Sequence, residues 1–242
     1  MIIEGKNSVY EQLRSGATFN RLSAQIGHHD ELGESIIKQA REQGIKVAFV
    51  DRKILDKMSE SGRHQGFIAE VTDFVYSEIA DIKEVAAKRG EQPLVVILDG
   101  IEDPHNLGSI IRTCECAGVH GIIIPKQRSV PVNATVLKVS AGAASHIKVA
   151  RVTNINAEIE KLKKDGFWIY AAAMNGDNVY QTNCVGPIAL VIGNEGKGVS
   201  VLTRKICDGI LSLPQFGKIN SLNAGAATSA IVYEIVRQRN FK

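Results

Sequence analysis

The 242-residue sequence has no uninterrupted apolar run of the length a bilayer span requires. Its opening, Met1-Ile2-Ile3-Glu4-Gly5-Lys6, lacks the long apolar core of a secretory signal. Membrane insertion and export are therefore not expected, and a cytoplasmic location is. Cysteine is scarce: Cys114, Cys116, Cys184 and Cys207 form no Cys-x-x-Cys pair and have no histidine at metal-ligand spacing. Neither a disulfide frame nor a metal site is expected, and the thiols are read as reduced. Several catalytic signatures are missing as well. Gly193-x-x-Gly196-x-Gly198 is not the dinucleotide pattern Gly-x-Gly-x-x-Gly, and Lys197 lacks the spacing of a phosphate-binding P-loop. With no Gly-x-Ser-x-Gly elbow and no paired carboxylates in an acid/base arrangement, hydrolase readings also weaken.

Net charge is small, +3 overall. Residues 1–90 hold 13 Lys/Arg against 14 Asp/Glu, and residues 91–242 hold 16 against 12, so the later part is the basic one. This bias is compatible with a polyanionic partner without requiring one. What the chain does have is 44% hydrophobic residues, enough for a sizeable core. Residues 21–26, 46–50 and 67–71 read as strands and residues 31–43 as a helix, together a small α/β unit. Residues 77–89 read as a polar helix or linker ending in the breaker cluster Gly90-Glu91-Gln92-Pro93, which fits a domain junction. The expected organisation is an N-terminal domain at 1–76, a linker at 77–92 and a second domain at 93–242. In the second domain, apolar runs at 94–98, 121–124, 147–150, 168–173, 188–192 and 210–213 alternate with helical stretches. That alternation predicts an α/β fold with a parallel sheet and helices on both faces.

Three segments in this domain stand out. Residues 99–112 carry Asn106-x-Gly108-x-x-x-Arg112 after the first apolar run, and Gly193-Asn-Glu195-Gly-Lys-Gly198 follows the fifth. Ser221-Leu222-Asn223 leads into a helix rich in small residues through Ala230. Each has an ordinary explanation: a capped helix with Arg112 on a solvated face, a tight strand-to-helix turn, and a close helix-packing face. Since ligands of such sheets lie beyond the carboxyl ends of the strands, the three are expected to converge.

In this order and spacing the segments resemble the three motifs of the SpoU branch of the SPOUT RNA methyltransferases. The resemblance extends to residues 3–13 and to His64-Gln-Gly-Phe-Ile-Ala69, which are similar to a small RNA-binding domain upstream in some members. Among members, the arrangement looks most like the bacterial enzymes that methylate a guanosine ribose in large-subunit ribosomal RNA. The resemblance implies a deep C-terminal trefoil knot, a homodimer packed through the knotted regions, with completion of each active site by the neighbouring subunit left open, and S-adenosylmethionine as cofactor. The matching cofactor positions are Gly193, Gly196, Leu213 and Leu222, with Ala172, Ala173 and Met174 nearby. The glycines are expected to let backbone amides approach the nucleoside.

The implied reaction is displacement of a sulfonium methyl by a ribose 2′-hydroxyl. Arg112 is the leading candidate for stabilising the incipient alkoxide, because a guanidinium stays protonated and is a poor base. Asn106, Glu195, Ser221 and Asn223 are expected to orient Arg112, the ribose or its phosphate, and the general base is left open. In the N-terminal domain, Lys6, Arg14, Arg21, Arg63 and Lys53 are candidate phosphate contacts. The small residues after Asn223 are expected against a second subunit. A transfer-RNA ribose is the main alternative target; the rival readings are a non-catalytic RNA-binding protein and a small-molecule enzyme on the same fold.

Overall fold

The computed structural model describes residues 2–14, 17–27, 29–72, 74–218 and 221–241. These fall into two compact units, one of residues 1–75 with 131–134 and one of residues 76–130 with 135–242. The first contains β1 (Ile2–Glu4), α1 (Lys6–Arg14), β2 (Thr18–Gln25), α2 (Glu31–Glu42), β3 (Val47–Val50), α3 (Arg52–Met58) and β4 (Phe67–Thr72). Its sheet runs β1-β4-β2-β3, with only the β2/β3 pair parallel. The core is built from Val9 and Leu13 of α1, Ile36, Ile37 and Ala40 of α2, and the sheet residues Leu22, Ala24 and Phe67. These helical positions recur at three- and four-residue intervals, the period of one buried helix face.

The second unit begins with α4 (Ile79–Arg89), β5 (Leu94–Asp99), α5 (Pro104–Cys116) and β6 (Gly121–Pro125). It continues through α6 (Ala134–Val139), a short 3₁₀ turn (Ala143–Ser145), β7 (Lys148–Val152), α7 (Ile155–Lys164) and β8 (Trp168–Asn178). It ends with β9 (Ile188–Gly193), α8 (Val201–Ile206), β10 (Gly209–Ser212) and α9 (Ala224–Asn240). The sheet order is β10-β8-β9-β5-β6-β7, and every neighbouring pair is parallel. All six apolar runs became strands, and β5 and β9 are buried along nearly their whole length because helices cover both faces. Among the described residues, no helix is long and apolar enough to cross a membrane.

Of the two readings of residues 77–89, helix or linker, the helix is the one present. The stretch is not an open linker: α4 buries Ile82 and Ala86, and Ile82 sits in the core of the second unit. Gly121 of β6 passes so close that a Cβ there would lie 2.5 Å from Ile82 Cγ1. The breaker cluster ends this helix, with Gly90 in the left-handed conformation at φ 65°. At the other end of the unit, Arg239 of α9 donates to the carbonyls of Gln92 (2.7 Å), Pro93 (3.3 Å), Cys184 (3.4 Å) and Gly186 (2.5 Å). One guanidinium thereby ties the last helix to the segments entering β5 and β9.

Candidate active site

The site is assembled by the ends of the central strands. After β5, the chain turns at Gly100 and enters α5, whose first turn is capped by Asp103 (Oδ1 to His105 N, 3.1 Å) with Pro104 at the start. Asp103, not Asn106, is the cap, which leaves the buried Asn106 side chain free to face another segment. After β9, residues 194–198 close a tight turn through two backbone hydrogen bonds between Asn194 and Gly198, of 3.2 and 2.7 Å. Gly193 is dictated by that closure: a Cβ on it would stand 2.0 Å from the Gly198 carbonyl carbon. The glycine therefore accommodates its own turn, whereas the sequence suggested space for a ligand. The turn is fixed to the neighbouring strand end, because Asn194 Nδ2 donates to Gly100 O (3.0 Å) and Ser200 N donates to Asp99 Oδ2 (2.8 Å).

The third segment joins the other two. Asn223 caps α9 through Oδ1, which accepts from the amides of Gly225 (2.9 Å) and Ala226 (3.3 Å). Its Nδ2 donates both to Asn106 Oδ1 (2.8 Å) and to Glu195 Oε1 (2.5 Å). The whole capacity of one amide is thus spent linking α5, the 194–198 turn and α9.

Beside this link lies a cavity of about 350 Å³, beyond the carboxyl ends of β9 and β10 and along the second half of β8. Ala172, Ala173, Gly193, Gly196, Leu213 and Leu222, the six residues expected to hold a cofactor, all line it. Met174, Glu195 and Ser221 also line it; Asn106 and Asn223 stand behind Glu195 and do not. Arg112 is not brought to this cavity. It lies about 9 Å further along α5 than Asn106, exposed and without a side-chain partner among the described residues. Sequence reasoning gave no role to Asn175, Arg204 and Gln215 on the cavity wall or to the staple made by Asn194. An Asn in a Gly-rich turn was the only available signal for the last of these.

The small-residue helix packs differently from expectation. Gly225 lies against Ser109 of α5, and Ser229 Oγ is 2.9 Å from Thr113 Oγ1, while Ala224 and Ala227 line the cavity. Much of that face is thus occupied within the chain. In the first unit, Arg14, Arg21 and Arg63 are exposed, as is Lys53. Lys6 forms an ion pair with Asp30 at 2.7 Å, and Arg14 a longer one with Glu11 at 3.8 Å.

The sequence pattern of the SpoU rRNA Methylase family matches residues 93–233, over strands β5 to β10 and all three site segments. The chain belongs to the SpoU rRNA methylase family. Residues 2–77 match a second pattern, RNA 2′-O ribose methyltransferase substrate binding. YacO of Bacillus subtilis (strain 168), named for the TrmH family of tRNA/rRNA methyltransferases, is 43% identical over 238 residues, covering 98% of this chain and 95% of YacO. A protein of Staphylococcus haemolyticus (strain JCSC1435) with the same family name is 39% identical over 241 residues, 99% of this chain and 96% of its own. The fold is that of the SpoU methyltransferase AviRb from Streptomyces viridochromogenes in complex with AdoMet (TM-score 0.61, 24% identity, 98% of this chain and 90% of AviRb). Methyl transfer to RNA is therefore the class of chemistry of this SpoU family member.

Proposed function

We propose that the chain transfers the methyl group of S-adenosylmethionine to a ribose 2′-hydroxyl, with a guanosine of large-subunit ribosomal RNA as its target. The observation that carries this reading is the cavity flanked by the Asn106–Asn223–Glu195 link. Its volume, about 350 Å³, lies in the range of small-ligand sites, roughly 300–1,000 Å³. Ile192, Leu211, Leu213, Leu222 and Ile231 offer an apolar wall to a purine, and the 193–198 turn offers backbone polar groups. The cofactor, when bound there, supplies an electrophilic methyl on a sulfonium.

The chain's own residues supply position and charge. Asn223 holds Glu195 by one carboxylate oxygen, which leaves the other able to accept a hydrogen bond from the incoming hydroxyl. Arg112 stabilises the developing alkoxide, and we place it in the cavity of a second copy of the chain. Its exposure on α5, in a stripe with His105, Ser109 and Cys116, supports that arrangement. In this reading the chain is a homodimer through the second unit, the knot lies toward the C-terminus, and the first unit reads RNA through Arg14, Arg21 and Arg63. A separate reading unit suits an enzyme that must find one ribose among thousands.

Tritiated cofactor with purified ribosomal and transfer RNA, followed by 2′-O-methyl mapping in RNA from a deletion strain, tests the proposal. Loss of one guanosine methylation in large-subunit RNA is expected; loss of a transfer-RNA methylation instead would replace the target. Arg112→Lys is expected to lose most methyl transfer, since an ammonium lacks the planar fork. Near-normal turnover by that variant would overturn the role given to Arg112.

A further inference from the structure

Three charged side chains line the cavity: Glu195, Lys197 and Arg204. Glu195 is engaged by Asn223. Lys197 belongs to the closed turn through its backbone amide, which donates to Asn194 Oδ1 at 3.4 Å; its ammonium, a point charge without the planar fork, has no hydrogen bond or ion pair among the described residues. Arg204 stands apart from all three site motifs, on α8, whose N-terminus is capped by Ser200. Nearby carboxylates are already committed. Asp208 holds Lys163 Nζ at 2.8 Å and accepts from Ile169 N, while Asp99 accepts from Ser200 N. Among the described residues, the Arg204 side chain has no hydrogen bond or ion pair. Arg204 is exposed and borders the cavity, and an unpaired guanidinium there is within reach of a planar anion, which it can bind through two parallel hydrogen bonds.

We propose that Arg204 binds the carboxylate of the cofactor's amino-acid tail. The inference rests on the reading of this cavity as the S-adenosylmethionine site. That ligand has one anionic group, its carboxylate, which gives a guanidinium a single partner on it, and its purine suits the apolar wall. An RNA phosphate is the other anion a guanidinium could take. It is disfavoured because most of the cavity wall is apolar and the volume suits a small ligand.

The test compares two probes in calorimetry on the full chain: S-adenosylhomocysteine, and its decarboxylated analogue, which keeps the ammonium and lacks only the carboxylate. The wild-type protein is expected to prefer the first by about tenfold or more, the scale of one charge-assisted contact. Arg204→Gln is expected to bind S-adenosylhomocysteine weakly and to lose the preference. Arg204→Lys, which retains the charge without the fork, is expected to keep part of it and serves if the glutamine variant does not fold. A preference that survives in Arg204→Gln, or an equal loss for both probes, overturns the proposal. A survived preference combined with weakened RNA binding would reassign Arg204 to phosphate. If the wild type binds neither probe, the cofactor reading of the cavity fails along with it.

Discussion

At the scale of single residues, Asn223 performs two separable tasks. Asn223→Asp keeps an oxygen to cap α9 and places negative charge at a helix N-terminus, where it is favourable. It also removes both donors and sets a second carboxylate against Glu195. A loss of stability of about 1–3 kcal/mol, from the Asn106 oxygen left unpaired, is expected without unfolding, together with a loss of methyl transfer of about tenfold or more. Parallel melting and tritium-transfer assays check the separation; a fully active variant would show that the link to Glu195 is dispensable. Glu4 gives a pH-dependent counterpart in the first unit. Its carboxylate accepts from the hydroxyls of Ser59 (2.6 Å) and Ser61 (2.5 Å) and from nearby amides, which lowers its pKa from 4.5 to about 2. A depressed folded-state pKa means that the stabilisation is complete above about pH 4.5 and is lost as pH falls toward 2. Denaturant titrations across that window should show a fall in stability that Glu4→Gln removes.

At the scale of elements, close backbone approaches decide which substitutions the site tolerates. Gly193→Ala drives a Cβ into the Gly198 backbone, and should cost more than Gly196→Ala, where the nearest atom, Asn194 Oδ1, is 3.6 Å away. Cofactor titration of both variants checks this ordering. All six strands of the large sheet were legible as apolar runs because burial on both faces removes polar alternation. β1 and α3 were not: three residues and seven residues are too short to show a period. The three motifs were legible as segments, and their convergence followed from strand polarity. Arg204 and the Asn194 staple were not, since nothing local distinguishes a cavity-lining arginine on a six-residue helix from a solvated one. The cysteines extend the same lesson. Cys114 is fully buried, and burial raises Cys184 and Cys207 to about 11, so their thiols stay protonated at neutral pH. Cys116 lies exposed on the α5 stripe with Arg112. Native alkylation should modify Cys116 first, and protection of it on concentrating the protein is expected if a second copy covers that stripe.

For the whole molecule, division of labour is the testable feature. A protein lacking residues 1–76 is expected to retain binding of S-adenosylhomocysteine and to bind RNA more weakly at fixed salt; unchanged RNA affinity would deny the first unit its reading role. Mixing inactive Arg112→Ala and Asn223→Ala proteins should restore part of the activity if sites are shared between copies, and none if each copy is self-sufficient. The Arg239 clamp carries one further implication, concerning time. During synthesis, strands β5 and β9 are made well before the guanidinium that fastens their entrances, and Leu222, Ala224, Ala227 and Ile231 of the cavity wall also come late. Domains generally fold as units while the chain emerges at about 5–20 residues per second. A ribosome-bound nascent chain stalled before α9 has left the exit tunnel would hold a sheet without a binding pocket, so ligand affinity should arise in a single late step of translation.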